Sequence, residues 1–137
     1  KNVSAKVSCI IDWYGPTDLI DIGKYPSAFE HLKADSPEGY VLGRVKPQEH
    51  SELVKKASPL TYLVEDRPTP PTLIMHGSRD MVVPFHQSVI LYEKMKQLNK
   101  DVTFMKVEDG NHGFGGFKSR KILDIVENYI KQKIKTL

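Results

Sequence analysis

The chain has 137 residues, 39% of them hydrophobic and nine of them glycine, which is enough to bury one core and too few for two complete domains. Twenty basic and 17 acidic side chains leave a formal charge of +3, too balanced to argue for a polyanion, so no nucleic-acid partner is expected. No stretch approaches the roughly 18 apolar residues that cross a bilayer, and the opening KNVSAKVS lacks the apolar core of a secretory signal, so no membrane segment is expected either.

The first apolar run, Val7-Ser8-Cys9-Ile10-Ile11, reads as a buried strand closed by the turn-rich stretch from Asp12 to Asp18. Cys9 is the only cysteine, so no intrachain disulfide forms, the fold rests on packing, and the compartment stays undetermined. From Ile20 to Arg67 the chain is interrupted repeatedly, at Lys24-Tyr25-Pro26, at Ser36-Pro37-Glu38-Gly39 and at Lys46-Pro47, and only Gln48 to Lys56 looks helical. A connection this long in a small domain carries function or short helices, and it is read as a cap-like insertion over one end of a sheet.

Thr72-Leu73-Ile74-Met75 is a second strand, preceded by Pro68, Pro70 and Pro71 and stopped by Gly77. Pro84 to Asn99 predicts a helix, with Leu91, Met95 and Leu98 at helical spacing and Pro84 suited to a first turn. Val102 to Val107 predicts a third strand ended by the turn pair Asp109-Gly110. Ser119 to Ile134 predicts a last helix, with Leu123, Val126, Ile130, Ile134 and Leu137 along one stripe. Lys118, Arg120, Lys121, Lys131, Lys133 and Lys135 read as its solvated face.

Strands alternating with helices imply βαβ units and a three-stranded parallel sheet covered on both faces, a three-layer α/β/α arrangement. The first strand has no helix ahead of it, so one sheet edge should lack a neighbour. The chain also begins without Met. Both points lead to the expectation that residues 1–137 are the C-terminal portion of a longer single domain, with the insertion at about 20–67.

In open α/β sheets the chemistry sits beyond the carboxyl ends of the strands. There the sequence runs His76-Gly77-Ser78-Arg79-Asp80-Met81-Val82-Val83-Pro84 after the second strand and Glu108-Asp109-Gly110-Asn111-His112-Gly113-Phe114 after the third. Asp80 and His112, 32 residues apart, can meet on neighbouring loops. An aspartate that accepts from an imidazole fixes its tautomer and stabilises its protonated form, the supporting half of a Ser-His-Asp triad.

Four segments in order, Asp12-Trp13-Tyr14-Gly15-Pro16-Thr17-Asp18, Ala57-Ser58-Pro59-Leu60, His76 to Pro84 and Gly110-Asn111-His112-Gly113-Phe114, resemble the C-terminal half of α/β-hydrolase esterases and lipases. The closest likeness is to the acetyl-esterase and feruloyl-esterase-like group, with prolyl-oligopeptidase-type domains more distant. The resemblance implies a serine ester hydrolase with Asp80 as triad acid and His112 as triad base. It also implies that Asp12 to Asp18 borders the acyl pocket and that Ala57-Ser58-Pro59 leads back from the cap.

One part of the family pattern is missing. The nucleophile elbow is spelled Gly-x-Ser-x-Gly, which occurs nowhere in this sequence, and neither does the His-Gly-Gly-type loop that completes the oxyanion hole. Ser78 is followed by Arg79 and Asp80 where an elbow needs glycine, Cys9 lies within a predicted strand, and Asp12 reads as a turn residue. The isolated chain is therefore expected to be inactive.

Trp13, Tyr14 and Phe114 flank the expected site and are candidate substrate-binding residues, with core packing the plain alternative. His76 reads as a buried support for its loop, His86 as a surface residue, and His31 and His50 as insertion residues without partner spacing. No metal-ligand spacing and no phosphate loop occurs, so no metal and no cofactor is expected. The expected partners are a small-molecule ester and the upstream half of the same hydrolase. The runner-up is a noncatalytic binding or assembly module, for which the open strand edge offers a route to an edge-to-edge homodimer. A prolyl-oligopeptidase-type peptidase shares Asp80 and His112 and is the third reading.

Overall fold

Six consecutive residues, Thr72–Gly77, are buried throughout and form the central strand of a parallel sheet. In the computed structural model, which describes residues 3–4 and 6–135, this strand is β2, flanked by β1 (Ile10–Trp13) and β3 (Val102–Val107). The register pairs Ile10 with Thr72, and Thr72 in turn with Val102. Side chains alternate across β2, and each face meets one long helix. Ile74 packs with Leu91 and Met95 of α3 (His86–Gln97), while Leu73 and Met75 pack with Phe117 and with Ile122 of α4 (Arg120–Lys135). The fold is thus a three-layer α/β/α arrangement around a three-stranded parallel sheet.

One predicted strand boundary and one predicted helix stripe differ in the structure. The first strand begins at Ile10 rather than Val7, and Val7 is exposed. Its neighbour upstream of Thr72 is the Pro68, Pro70, Pro71 run, whose nitrogens carry no hydrogen to donate, so pairing starts where Ile10 N–H reaches Pro71 O at 2.9 Å. Cys9 falls just outside the strand and is half-buried. The stripe of α4 that meets the sheet is Ile122, Val126 and Tyr129, not the one running through Leu123 and Ile134, which are exposed; Leu137 lies outside the described residues. Three basic side chains of this helix are matched: Arg120 pairs with Asp124 at 2.8 Å, Lys131 with Glu127, and Lys133 with Asp101 at 2.6 Å. Among the described residues no helix is long and apolar enough to cross a membrane.

Residues 14–71 connect β1 to β2 and hold α1 (Pro37–Val41), α2 (Ser51–Ala57) and three 3₁₀ turns. The segment Ser36-Pro37-Glu38-Gly39, read as a break, is the start of α1. Ser36 Oγ accepts Gly39 N–H at 2.9 Å, and Pro37 occupies the first turn, where its missing N–H costs nothing. The expected helix over 48–56 is split at His50 into a 3₁₀ turn and α2. A small core of Leu19, Leu42 and Val54 holds the connection together.

Candidate active site

The loops after β2 and β3 touch backbone to backbone. A Cβ on Gly77 would lie 2.3 Å from Gly110 O, so only glycine allows this approach. Ser78 N–H donates to Val107 O at 3.0 Å and Arg79 N–H to Gly110 O at 2.9 Å. Asn111 Oδ1 accepts from Met81 N–H at 3.1 Å and from His112 N–H at 2.7 Å, so one side chain joins both loops.

This scaffold brings Asp80 and His112 together, Oδ2 to Nδ1, at 2.9 Å. Asp80 is fully surrounded. Its Oδ1 accepts the backbone N–H groups of Val82 and Val83 at 2.8 and 2.9 Å, and His76 Nε2 lies 3.2 Å from Oδ2. Burial is the largest single influence on this carboxyl and raises its pKa, but the bonds from His76, Val82, His112 and Val83 together outweigh it and hold the pKa below the ordinary value of 3.8. Asp80 is thus an anion at neutral pH and can only accept, so the His112 proton on this bond sits on Nδ1 and the neutral imidazole has its lone pair on Nε2. The His112 side chain is 32% exposed, so that lone pair belongs to a group open to a reactant.

His76 is fully buried, with Nδ1 2.6 Å from Ser88 Oγ and Nε2 2.9 Å from Val83 O. A carbonyl can only accept, so Nε2 carries the proton and Ser88 donates to Nδ1. The first turn of α3 is polar toward the interior for this reason. Its Gln87, also buried, accepts Thr17 N–H and Asp18 N–H on Oε1, both at 2.9 Å. Neither Ser88 nor Gln87 stood out in the sequence, because a short polar pair at a helix start looks like a solvated end.

The three candidate substrate-binding aromatics part company. Tyr14, the residue after β1, has φ of +48°, a left-handed conformation that costs a tyrosine about 1 kcal/mol or more. The bend sets its ring 4.2 Å from that of His112 and 5.0 Å from Phe117, as a floor beneath the imidazole. Gly113, at φ +72°, leaves room for it, since a Cβ there would lie 3.0 Å from the Tyr14 hydroxyl oxygen. Trp13 packs on the Phe117 core instead, and Phe114 is 71% exposed beside Lys118. A groove of about 340 Å³ does run along β1, but Ile10, Asp12, Pro16, Leu63, Thr72 and Leu91 are among its walls and none of the three aromatics is.

Other candidates settle into plain roles. Ser78 Oγ accepts Asp109 N–H at 2.9 Å and donates to Glu108 at 3.3 Å, a bridge between loops. Asp12 Oδ1 accepts Gly15 N–H at 3.1 Å, the expected turn bond. His86 is half-buried rather than at the surface, stacked on Tyr25 at 4.2 Å. His31, expected to lack a partner, is buried with Nδ1 3.0 Å from Glu38 Oε2. The two lie in one short segment folded by α1, a turn that went unread in the sequence.

Residues 1–95 match the BD-FAE family. The chain belongs to the BD-FAE family. Esterase LipC of Mycobacterium tuberculosis is 33% identical over 66 residues, which are 47% of this chain and 16% of LipC. A truncated carbohydrate esterase from gut microbiota superposes with a TM-score of 0.78 at 32% identity, over 93% of this BD-FAE chain and 43% of that one. An acylaminoacyl peptidase of Pyrococcus horikoshii shares the fold, with a TM-score of 0.73 at 19% identity over 95% of this chain and 20% of its own. The chain spans less than half the length of each. This BD-FAE chain has the fold of an esterase-like α/β-hydrolase.

Proposed function

We propose that this chain supplies the acid and base of a serine ester hydrolase whose nucleophile lies in sequence outside these 137 residues. The observation that carries the reading is the Asp80 Oδ2 to His112 Nδ1 bond of 2.9 Å, with Asp80 Oδ1 held by two backbone amides. In the reaction, His112 Nε2 takes the proton of an attacking serine hydroxyl and returns it to the leaving alcohol. Asp80 keeps the imidazole in the required tautomer and stabilises its cation. The ester relatives support a carboxylic ester as substrate, with Tyr14 beneath the imidazole as the aromatic nearest the reacting atoms.

On this reading the chain is the C-terminal portion of one hydrolase domain, and its first partner is the segment that carries the serine, seated on the open edge of β1. Without that segment no acyl-enzyme forms. Fluorophosphonate labelling followed by intact-mass measurement tests this. The 137-residue chain should take up no adduct and hydrolyse no short-chain ester, and addition of the upstream segment should restore both. A stoichiometric adduct on the chain alone would overturn the assignment of the nucleophile to another segment. Size-exclusion chromatography separates the competing use of the edge, a homodimer of this chain.

A further inference from the structure

Two peptide planes carry the Asp80 carboxylate. The N–H groups that donate to Oδ1 belong to Val82 and Val83. Each is one end of a rigid planar unit whose other end is a carbonyl, Met81 C=O in the first plane and Val82 C=O in the second. Both carbonyls are gripped from the insertion. Ser27 Oγ lies 3.1 Å from Met81 O and 2.9 Å from Val82 O, and Ala28 N–H donates to Met81 O at 2.6 Å. The insertion and the carboxylate thus hold opposite ends of the same two planes.

Counting protons assigns His31 its part. Ser27 has one hydroxyl hydrogen, and a bare oxygen between two carbonyl oxygens would be repelled, so that hydrogen is shared by Met81 O and Val82 O. His31 Nε2, 2.8 Å from Ser27 Oγ, must then donate, as Phe29 N–H does at 3.1 Å. His31 is 3% exposed, and its Nδ1 lies 3.0 Å from Glu38 Oε2, off hydrogen-bond alignment. Ser36 Oγ donates to His31 O at 2.8 Å and fixes this segment to α1.

We propose that Ser27, oriented by His31, is a positioning residue for the Asp80–His112 pair and acts through the peptide planes 81–82 and 82–83. The inference rests on the reading of that pair as the acid and base. Loss of the Ser27 hydroxyl leaves Met81 O with Ala28 N–H but releases Val82 O, so the second plane turns and Val83 N–H leaves the carboxylate.

The test uses the full-length hydrolase, with kcat and KM for p-nitrophenyl acetate and the downfield NMR signal of the His112 Nδ1 proton as readouts. Ser27→Ala should lower kcat between about tenfold and about a hundredfold, with KM changed less than about twofold, and should shift or broaden the Nδ1 signal. Ser27→Thr, which keeps the hydroxyl, should restore both readouts. His31→Ala should follow Ser27→Ala, while His31→Gln, whose amide can still donate to Ser27, should keep the parent behaviour. Should Ser27→Ala fail to fold, the two His31 variants decide by the same readouts. The proposal is overturned by variants that keep both kcat and the Nδ1 signal, or by a kcat loss with the signal unmoved. A parent without an Asp80-dependent Nδ1 signal would instead remove the acid–base reading, and this inference with it.

Discussion

Asp12 and Asp80 belong to neighbouring strands of one sheet, the first within β1 and the second three residues beyond β2. Asp80 has both oxygens occupied, by two amides and two imidazoles, and is held ionised. Asp12 spends one oxygen on Gly15 N–H and buries the other without a hydrogen-bond partner among the described residues. Desolvation pushes its pKa up, against the smaller lowering effect of the Gly15 amide. Trp13 Nε1, next along β1, is likewise buried without a partner. Every oxygen of Asp80 is satisfied, whereas β1 buries two polar atoms that are not. The hydrogen bonds of the Asp80–His112 pair are therefore made within this chain, while the edge strand beside it keeps unpartnered buried polar atoms among the described residues.

The sharpest way to break this comparison is Asp80→Asn in the full-length hydrolase. The amide favours the wrong His112 tautomer, and turnover of a short-chain ester should fall about 10⁴-fold. Unchanged turnover would remove Asp80 from the mechanism.

Next in size is Gly77→Ala. A Cβ at 2.3 Å from Gly110 O meets backbone, which cannot rotate aside, and urea unfolding should show a loss of about 3 kcal/mol. The two strands can then be compared directly. Ile74→Ala, at a fully buried position on β2, should cost about 3 kcal/mol, whereas Ile10→Ala, 37% exposed on β1, should cost less than about 1 kcal/mol. Equal costs would mean that β1 is covered in solution.

The smallest effect is in pH, and the two aspartates have opposite signs. Asp80 has a folded pKa below 3.8, so its contribution is present above that value and lost as pH falls through the folded pKa. Asp12 has a folded pKa above 3.8, so the folded state holds its proton more tightly and stability is lost as pH rises through the raised pKa. Asp12→Asn should therefore gain on the parent as pH rises toward neutrality, measured by urea midpoints across that range. Seating a strand on β1 that satisfies the free oxygen should shrink the gain.

Sequence patterning located the elements whose burial is dictated by their own side chains. Val102–Val107 runs over the six predicted residues, and β2 starts at the predicted Thr72. It located β1 less well, because pairing there depends on the prolines of a neighbour about 60 residues away. The stripe of α4 was read one residue off since Leu123, Val126 and Ile130 are as apolar as Ile122, Val126 and Tyr129, and only the sheet chooses between them. Asp80 and His112 were legible as residue types on successive strand-end loops. The hydrogen bonds around Asp80 were not, because Ser27 and Asn111 act through backbone groups, and a backbone amide or carbonyl has no letter of its own.

Trp13 is the only tryptophan in the chain, and its ring lies 6.4 Å from that of Tyr14, which in turn lies 4.2 Å from that of His112. The protein thus carries a built-in optical probe on its edge strand, two rings away from the Asp80–His112 pair. Its emission colour follows the polarity around the indole, so any segment that docks along β1 and dries that edge should announce itself as a blue shift, with no label attached.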